Sequence, residues 1–258
     1  MWCFETIAVA LAMFSAVPVP QPVWNEKNMR YALCAFPLVG AVCTAGWWGW
    51  MALCRLLHVP ALMQAGGLCV LPVLVTGGIH LDGYADTCDA LASYGEPAKK
   101  QEILTDPHCG AFAVIRLCTY FTAYFALCTA LPADKRTLVC MGIAFMLERV
   151  LSGFAVAAFP LAKDTGLAHT FATGADRRRV KGILSAFAAV LSALLLQQGG
   201  WAGAAMLLAL LLVLWRYHRV AVKQFGGISG DLAGWFLQKA ELWMLVALVF
   251  CRLLEGCL

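Results

Sequence analysis

The sequence predicts an all-α protein: a polytopic integral membrane helix bundle of about seven spans plus a short N-terminal hydrophobic segment, folded as a single domain over residues 1–258. Three observations predict it. The chain is 62% hydrophobic and 13% charged, whereas a soluble domain carries about 25% charged residues. Its mean hydropathy is +0.76, and apolar runs of about twenty residues recur, the length a helix needs to cross the hydrocarbon core of a bilayer. The alternation expected of membrane β-strands is absent. The lipid bilayer is therefore the first partner implied.

The elements follow in order. Residues 3–17 are apolar but short for a span and end at Pro18-Val19-Pro20; whether they cross is left open. The start has Glu5 and no basic region, so no cleavable signal is expected. Spans are expected at Leu33–Leu57, Ala61–Ile79, Gly110–Leu131, Thr137–Pro160, Val180–Gln198, Trp201–Trp215 and Trp235–Leu254. Gly199-Gly200 joins the fifth and sixth as a hairpin. Polar loops at 80–107, 161–179 and 216–234 fall on one side by this count. They carry most of the basic residues, which makes that side cytoplasmic. The twelve cysteines form no CxxC pair and mostly lie in apolar segments, so they read as small, reduced hydrophobes.

One stretch breaks the apolar pattern, Thr76–Leu91, TGGIHLDGYADTCDAL. Asp82, Asp86 and Asp89 are spaced i, i+4 and i+7, which puts them within roughly 60° of one helix face. No Lys or Arg lies between Ile79 and Pro97, so nothing nearby in sequence offsets the repulsion. Three hard carboxylates point to Mg²⁺ as the metal, shared with a substrate phosphate. Cys88 is left out because a hard-metal site gains nothing from a thiolate.

Glycines accompany the acids: Gly77, Gly78 and Gly83 around the first group, and Gly226, Gly227 and Gly230 before Asp231. Glycine allows close approach of backbone N–H groups to a phosphate. Two such loops on one side suggest a single phosphate-and-metal site, with Asp231 as a fourth acid or as the cap of the last helix. His80 is a candidate base or ligand. Lys100 and Lys163 are candidate phosphate contacts. Glu148-Arg149 lies inside an expected span, where a charge costs about 2.5–3.5 kcal/mol and marks either function or a mutually neutralising pair; Arg149 is carried as a substrate-binding candidate.

Some function classes are disfavoured. A net charge of +4 without a clustered basic face excludes a nucleic-acid partner. A transporter would place acids at mid-membrane, whereas these sit at span ends. A CDP-alcohol phosphotransferase shares aspartates on a helix, but its D-G-x-x-A-R signature is broken here because Asp86 follows Ala85.

The string GGIHLDGYADTCDAL, residues 77–91, resembles the signature of the cobalamin synthase family, the adenosylcobinamide-GDP ribazoletransferases. Pro18-Val19-Pro20, Phe36–Gly40, Glu102–Asp106 with Gly110, Lys163-Asp164 with Gly166, and Gly226–Asp231 with Gly234 and Glu241 resemble further family motifs in order. The departures are Ala90 for the usual glycine, Ala16, His108 and Lys163 for frequent arginines, and Gln238 for a frequent glutamate. The resemblance implies a prokaryotic inner-membrane transferase of cobalamin biosynthesis that uses Mg²⁺. It implies adenosylcobinamide-GDP and α-ribazole or its 5′-phosphate as substrates and GMP as a product. It implies that Asp82, Asp86, Asp89, Asp231 and His80 serve catalysis, the first three as metal ligands. The lower base and the oligomeric state are left open.

Overall fold

The computed structural model describes residues 2–257. In chain order its helices are α1 (Trp2–Phe14), α2 (Glu26–Met29), α3 (Ala32–Ala35), α4 (Pro37–Leu56), α5 (Ala61–Thr76), α6 (Ile79–Ala92), α7 (Pro97–Ile103), α8 (Ala111–Thr129), α9 (Lys135–Ala158), α10 (Leu167–Gly174), α11 (Arg177–Phe225) and α12 (Gly230–Cys257). Among the described residues, α3 with α4, α8, α9 and α11 are long and apolar enough to cross a membrane, and α5 with α6, bent by 95°, would add a fifth only if the pair crossed as one span. The 49-residue α11 counts once there, yet Gly200 (φ 54°, ψ −131°) breaks it into two limbs. A Cβ on Gly203 would lie 2.1 Å from the Leu195 carbonyl oxygen, so the limbs fold back on each other. The protein is an all-α membrane bundle.

The centre of the bundle is α9, whose most apolar stretch is 78% buried. It packs on α4, α11 and α12. Close approach to α4 needs Gly40, where a Cβ would sit 2.3 Å from the Phe145 carbonyl oxygen; Thr44 donates across the same crossing to the Gly142 carbonyl at 3.1 Å. One end of the bundle is tied by charge. Asp134 caps α9 by accepting from the Thr137 N–H and pairs with Arg252, while Arg136 bonds Glu255 and the Gly199 carbonyl. Asp82, Asp86 and Asp89 of α6 and Asp231 of α12 belong to the other end.

Three sequence expectations change in detail. The polar stretch at 80–107 is largely helical, as α6 and α7. The helix expected to stop at Trp215 runs on to Phe225, and the last helix starts at Gly230 rather than Trp235. Helices extend past the apolar stretch because helix satisfies backbone N–H and C=O groups at the membrane boundary without outside partners. The first helix has 13 residues, about 20 Å, which is short of a ~30 Å core. It runs instead into the bundle: the Ala16 N–H bonds the Val75 carbonyl at 2.8 Å, and Phe14 packs at a tilt against Phe36 and Phe171.

Candidate active site

The site begins at a break. Gly77 and Gly78 adopt φ of 65° and 82°, left-handed values that side chains rarely tolerate. They end α5, and α6 leaves at 95° to it. So α6 turns away from the direction of the span, and its first turn carries His80 and Asp82. It is then fixed against α12 by two glycines used reciprocally. A Cβ on Gly83 would lie 2.7 Å from the Asp231 Cα, and one on Gly234 would lie 2.7 Å from the His80 carbonyl oxygen. Backbones in such contact bring Asp231 beside Asp82 although 148 residues of sequence lie between them.

Four aspartates therefore share one end of the bundle. None of Asp82, Asp86, Asp89 and Asp231 forms an ion pair among the described residues. The Asp86 carboxyl is pushed up to about 6, first by partial burial and then by the negative fields of Asp82, Asp231 and Asp89. Lys163 is half-buried, and its charge reaches Asp231. Two cavities meet at Asp82. One, of 150 Å³, has Phe36, Phe171 and Leu237 on an apolar wall, with His80, Asp82 and Asp231 beside it. The other, of 470 Å³, is lined by Gly77, Gly78, Asp82, Asp86 and Cys109. Carboxylates at the meeting of an enclosed apolar chamber and a wider opening suit a bulky substrate with a charged reacting group.

The family model described as Cobalamin-5-phosphate synthase matches residues 6–249. The chain belongs to this family. It is 40% identical over 249 residues to an adenosylcobinamide-GDP ribazoletransferase of Lachnoclostridium phytofermentans, covering 96% of this chain and 94% of that one. Its identity to proteins of the same name is 34% in Desulfitobacterium hafniense (92% of this chain, 94% of that one) and 32% in Geobacillus thermodenitrificans (93% and 94%). No solved structure matches the chain.

For a member of the cobalamin-5-phosphate synthase family, the remaining candidates sort by where the fold puts them. His80 is buried with its Nε2 unpartnered, its ring edge-on to Phe36, on the wall of the apolar chamber. Burial, aided by the Arg149 charge, pushes it down to about 3, so the imidazole is neutral. The Asp89 carboxylate is turned to the start of α8, where it takes the Ala113 N–H at 3.4 Å and fills the space a Gly110 side chain would need. Its charge there complements the helix dipole. The expected triad is thus divided, Asp82 and Asp86 toward the cavities and Asp89 toward α8.

Asp231 is not the cap of α12. Ser229 accepts the Leu232 N–H at 3.2 Å and donates to Asp231 Oδ2 at 3.4 Å. The cap is Ser229, and the Asp231 carboxylate takes only local bonds from Ser229 and its own N–H, a distinction that sequence spacing alone does not make.

Three substrate-binding candidates have other surroundings. Arg149 is 1% exposed and is occupied by Glu148 at 2.6 Å and the Phe145 carbonyl at 2.8 Å. It is sealed in the bundle because two charges inside apolar helices neutralise each other locally. Lys100 is buried and donates to Gln224, tying α7 to α11, and lines neither cavity at Asp82. Gly227 is needed for chain approach, since a Cβ there would lie 2.4 Å from the Leu161 carbonyl carbon, next to the Leu161–Ile228 bridge. Gly230 lines the apolar chamber and Gly78 the wider cavity. Sequence reasoning missed the chamber wall itself, Phe14, Phe36 and Phe171, because an aromatic in an apolar helix carries no mark of which side it faces.

The donor chemistry at this end suits a hard cation: several carboxylates with no ion pair among the described residues. The side chains do not close around one point, since among the described residues no three His, Cys, Asp or Glu groups are gathered tightly enough to hold a metal.

Proposed function

We propose that the protein is an adenosylcobinamide-GDP ribazoletransferase. It joins adenosylcobinamide-GDP to α-ribazole, or to α-ribazole 5′-phosphate, and releases GMP. Adenosylcobalamin or its 5′-phosphate is the product. The ribose hydroxyl attacks the cobinamide-side phosphate and the bond from that phosphate to GMP breaks. The observation that carries this reading is the meeting of Asp82, Asp86 and Asp231 at the junction of two cavities, with no ion-pair partner among the described residues.

Phosphoryl transfer of this kind needs the nucleophile oriented, its proton accepted and the phosphate charge offset. In our reading Asp231 accepts the hydroxyl proton. It is half-buried, relieved of capping by Ser229, and within the field of Lys163. Lys163 also supplies positive charge toward the pyrophosphate. The apolar chamber takes a hydrophobic part of a substrate, and the neutral His80 Nε2 offers a hydrogen bond on its wall. Asp82 and Asp86 would hold Mg²⁺, which when bound offsets phosphate charge. We place this end on the cytoplasmic side of a prokaryotic inner membrane, supported by the basic residues of the long loops.

The test is to incubate membranes containing the protein with adenosylcobinamide-GDP and α-ribazole and to measure GMP. Release that depends on both substrates, stops with chelator and returns with Mg²⁺ is expected. Undiminished release in excess chelator removes the metal from the reading; no release with either form of ribazole removes the reaction.

A further inference from the structure

A second charged feature lies behind α6, on the side opposite its aspartates. Arg116 of α8, Arg216 of α11 and Lys239 of α12 converge on one 310 Å³ cavity, with Cys88, Tyr94 and Trp235 on its walls. No carboxylate lines it, and none of the three cations is in an ion pair among the described residues. Lys239 lies over the Tyr84 ring at 5.6 Å, and the like charges of Arg116 and Arg216 both bear on it. Three uncompensated cations gathered from three apolar helices call for an anion.

The position identifies which kind. Counting along the helices at 1.5 Å per residue, the cations sit roughly 8–14 Å from the end that carries Asp231. That is a depth at which long basic side chains reach from an apolar surface to the headgroup layer. A second cavity of 440 Å³ shares Arg216, Trp235 and Lys239 and continues deeper past Ala209, Leu212, Val213 and Trp243. This continuation faces outward: Leu212 is 56% and Trp243 49% exposed. The groove is therefore basic at the membrane surface and apolar toward the bilayer interior. A free phosphate or a nucleotide would use its first part alone.

We propose that this groove between α6, α8, α11 and α12 binds an acidic glycerophospholipid, its phosphate on Arg116, Arg216 and Lys239 and an acyl chain along Leu212 and Trp243. Bound there, the lipid backs α6 against α12 on the face away from Asp82 and Asp86. The inference is independent of the reaction assigned above.

The full-length protein is reconstituted in vesicles of phosphatidylcholine with phosphatidylglycerol, extracted gently, and its retained lipid is read by native mass spectrometry. Preferential retention of phosphatidylglycerol is expected, reduced at least tenfold in Arg216→Gln and in Lys239→Gln and unchanged in Arg178→Gln, a basic residue at the same end but outside the groove. Arg116→Gln, on an exposed position of α8, gives the same readout if the other two variants fail to fold. Equal retention of both lipids, or equal retention in wild type and variants, overturns the proposal. So does displacement of the lipid by inorganic phosphate or GMP, which would make this a site for a soluble phosphate.

Discussion

The fold treats two of its groups of charged side chains in opposite ways. On α9, Glu148 and Arg149 are 0% and 1% exposed and bonded to each other at 2.6 Å. At the junction of α6 and α12, four aspartates share one end of the bundle, with no ion pair among the described residues. The first group is closed: Glu148 and Arg149 bond each other inside the bundle, with the buried Glu241 adding a second carboxylate nearby. The second is open, and its mutual repulsion is held in place by packing, through glycines that bring two backbones into contact. Charge that the chain balances itself is structural; charge that it gathers and leaves unbalanced awaits a ligand.

The largest expected effect falls on the open group. Asp86→Asn and Asp231→Asn should leave folding intact and lower GMP release by about 10²–10⁴-fold, the range for removing a proton-transfer or charge-handling group. Near-normal turnover in either variant, with a normal melting temperature, takes that residue out of the site. Because Ser229 holds the cap, Asp231→Ala should melt no lower than Asp231→Asn.

The closed group should fail through stability. Arg149→Met leaves Glu148 without its partner and should cost about 3–5 kcal/mol of folding free energy, read as a lowered melting temperature in detergent. If Arg149→Met instead keeps its stability and loses turnover, the contrast between the two groups disappears.

The contact that assembles the open group is tested by Gly83→Ala. An added methyl 2.7 Å from the Asp231 Cα forces α6 and α12 apart, at about 1–3 kcal/mol for an overpacked contact. Turnover should fall by more than the loss of folded protein accounts for, because displacement of about 1 Å is enough to cost 10²-fold in rate. Smallest of all is Lys100→Met, which removes the bond to Gln224. It should lower stability by about 1 kcal/mol and leave turnover per folded molecule within about twofold, since Lys100 lines neither cavity at Asp82. A collapse of turnover there would return Lys100 to the phosphate.

Composition and apolar run length by themselves determined the membrane bundle, because a backbone in lipid has few ways to satisfy its hydrogen bonds. The spacing of Asp82, Asp86 and Asp89, and the glycines before Asp231, marked both halves of the candidate site, because carboxylates unmatched by nearby cations are visible in one dimension. Helix ends were less legible: the Trp215 and Trp235 boundaries moved because polarity marks the edge of the bilayer and not the end of the helix. Only the tertiary structure decided the rest. It separated Asp89 from its two neighbours, gave the cap of α12 to Ser229, closed Arg149 on Glu148 and turned Gly227 to Leu161. It also gathered Arg116, Arg216 and Lys239 from three helices. Each of these depends on what lies across a helix crossing, and a helix pattern records the face a residue occupies but not the neighbour it meets there.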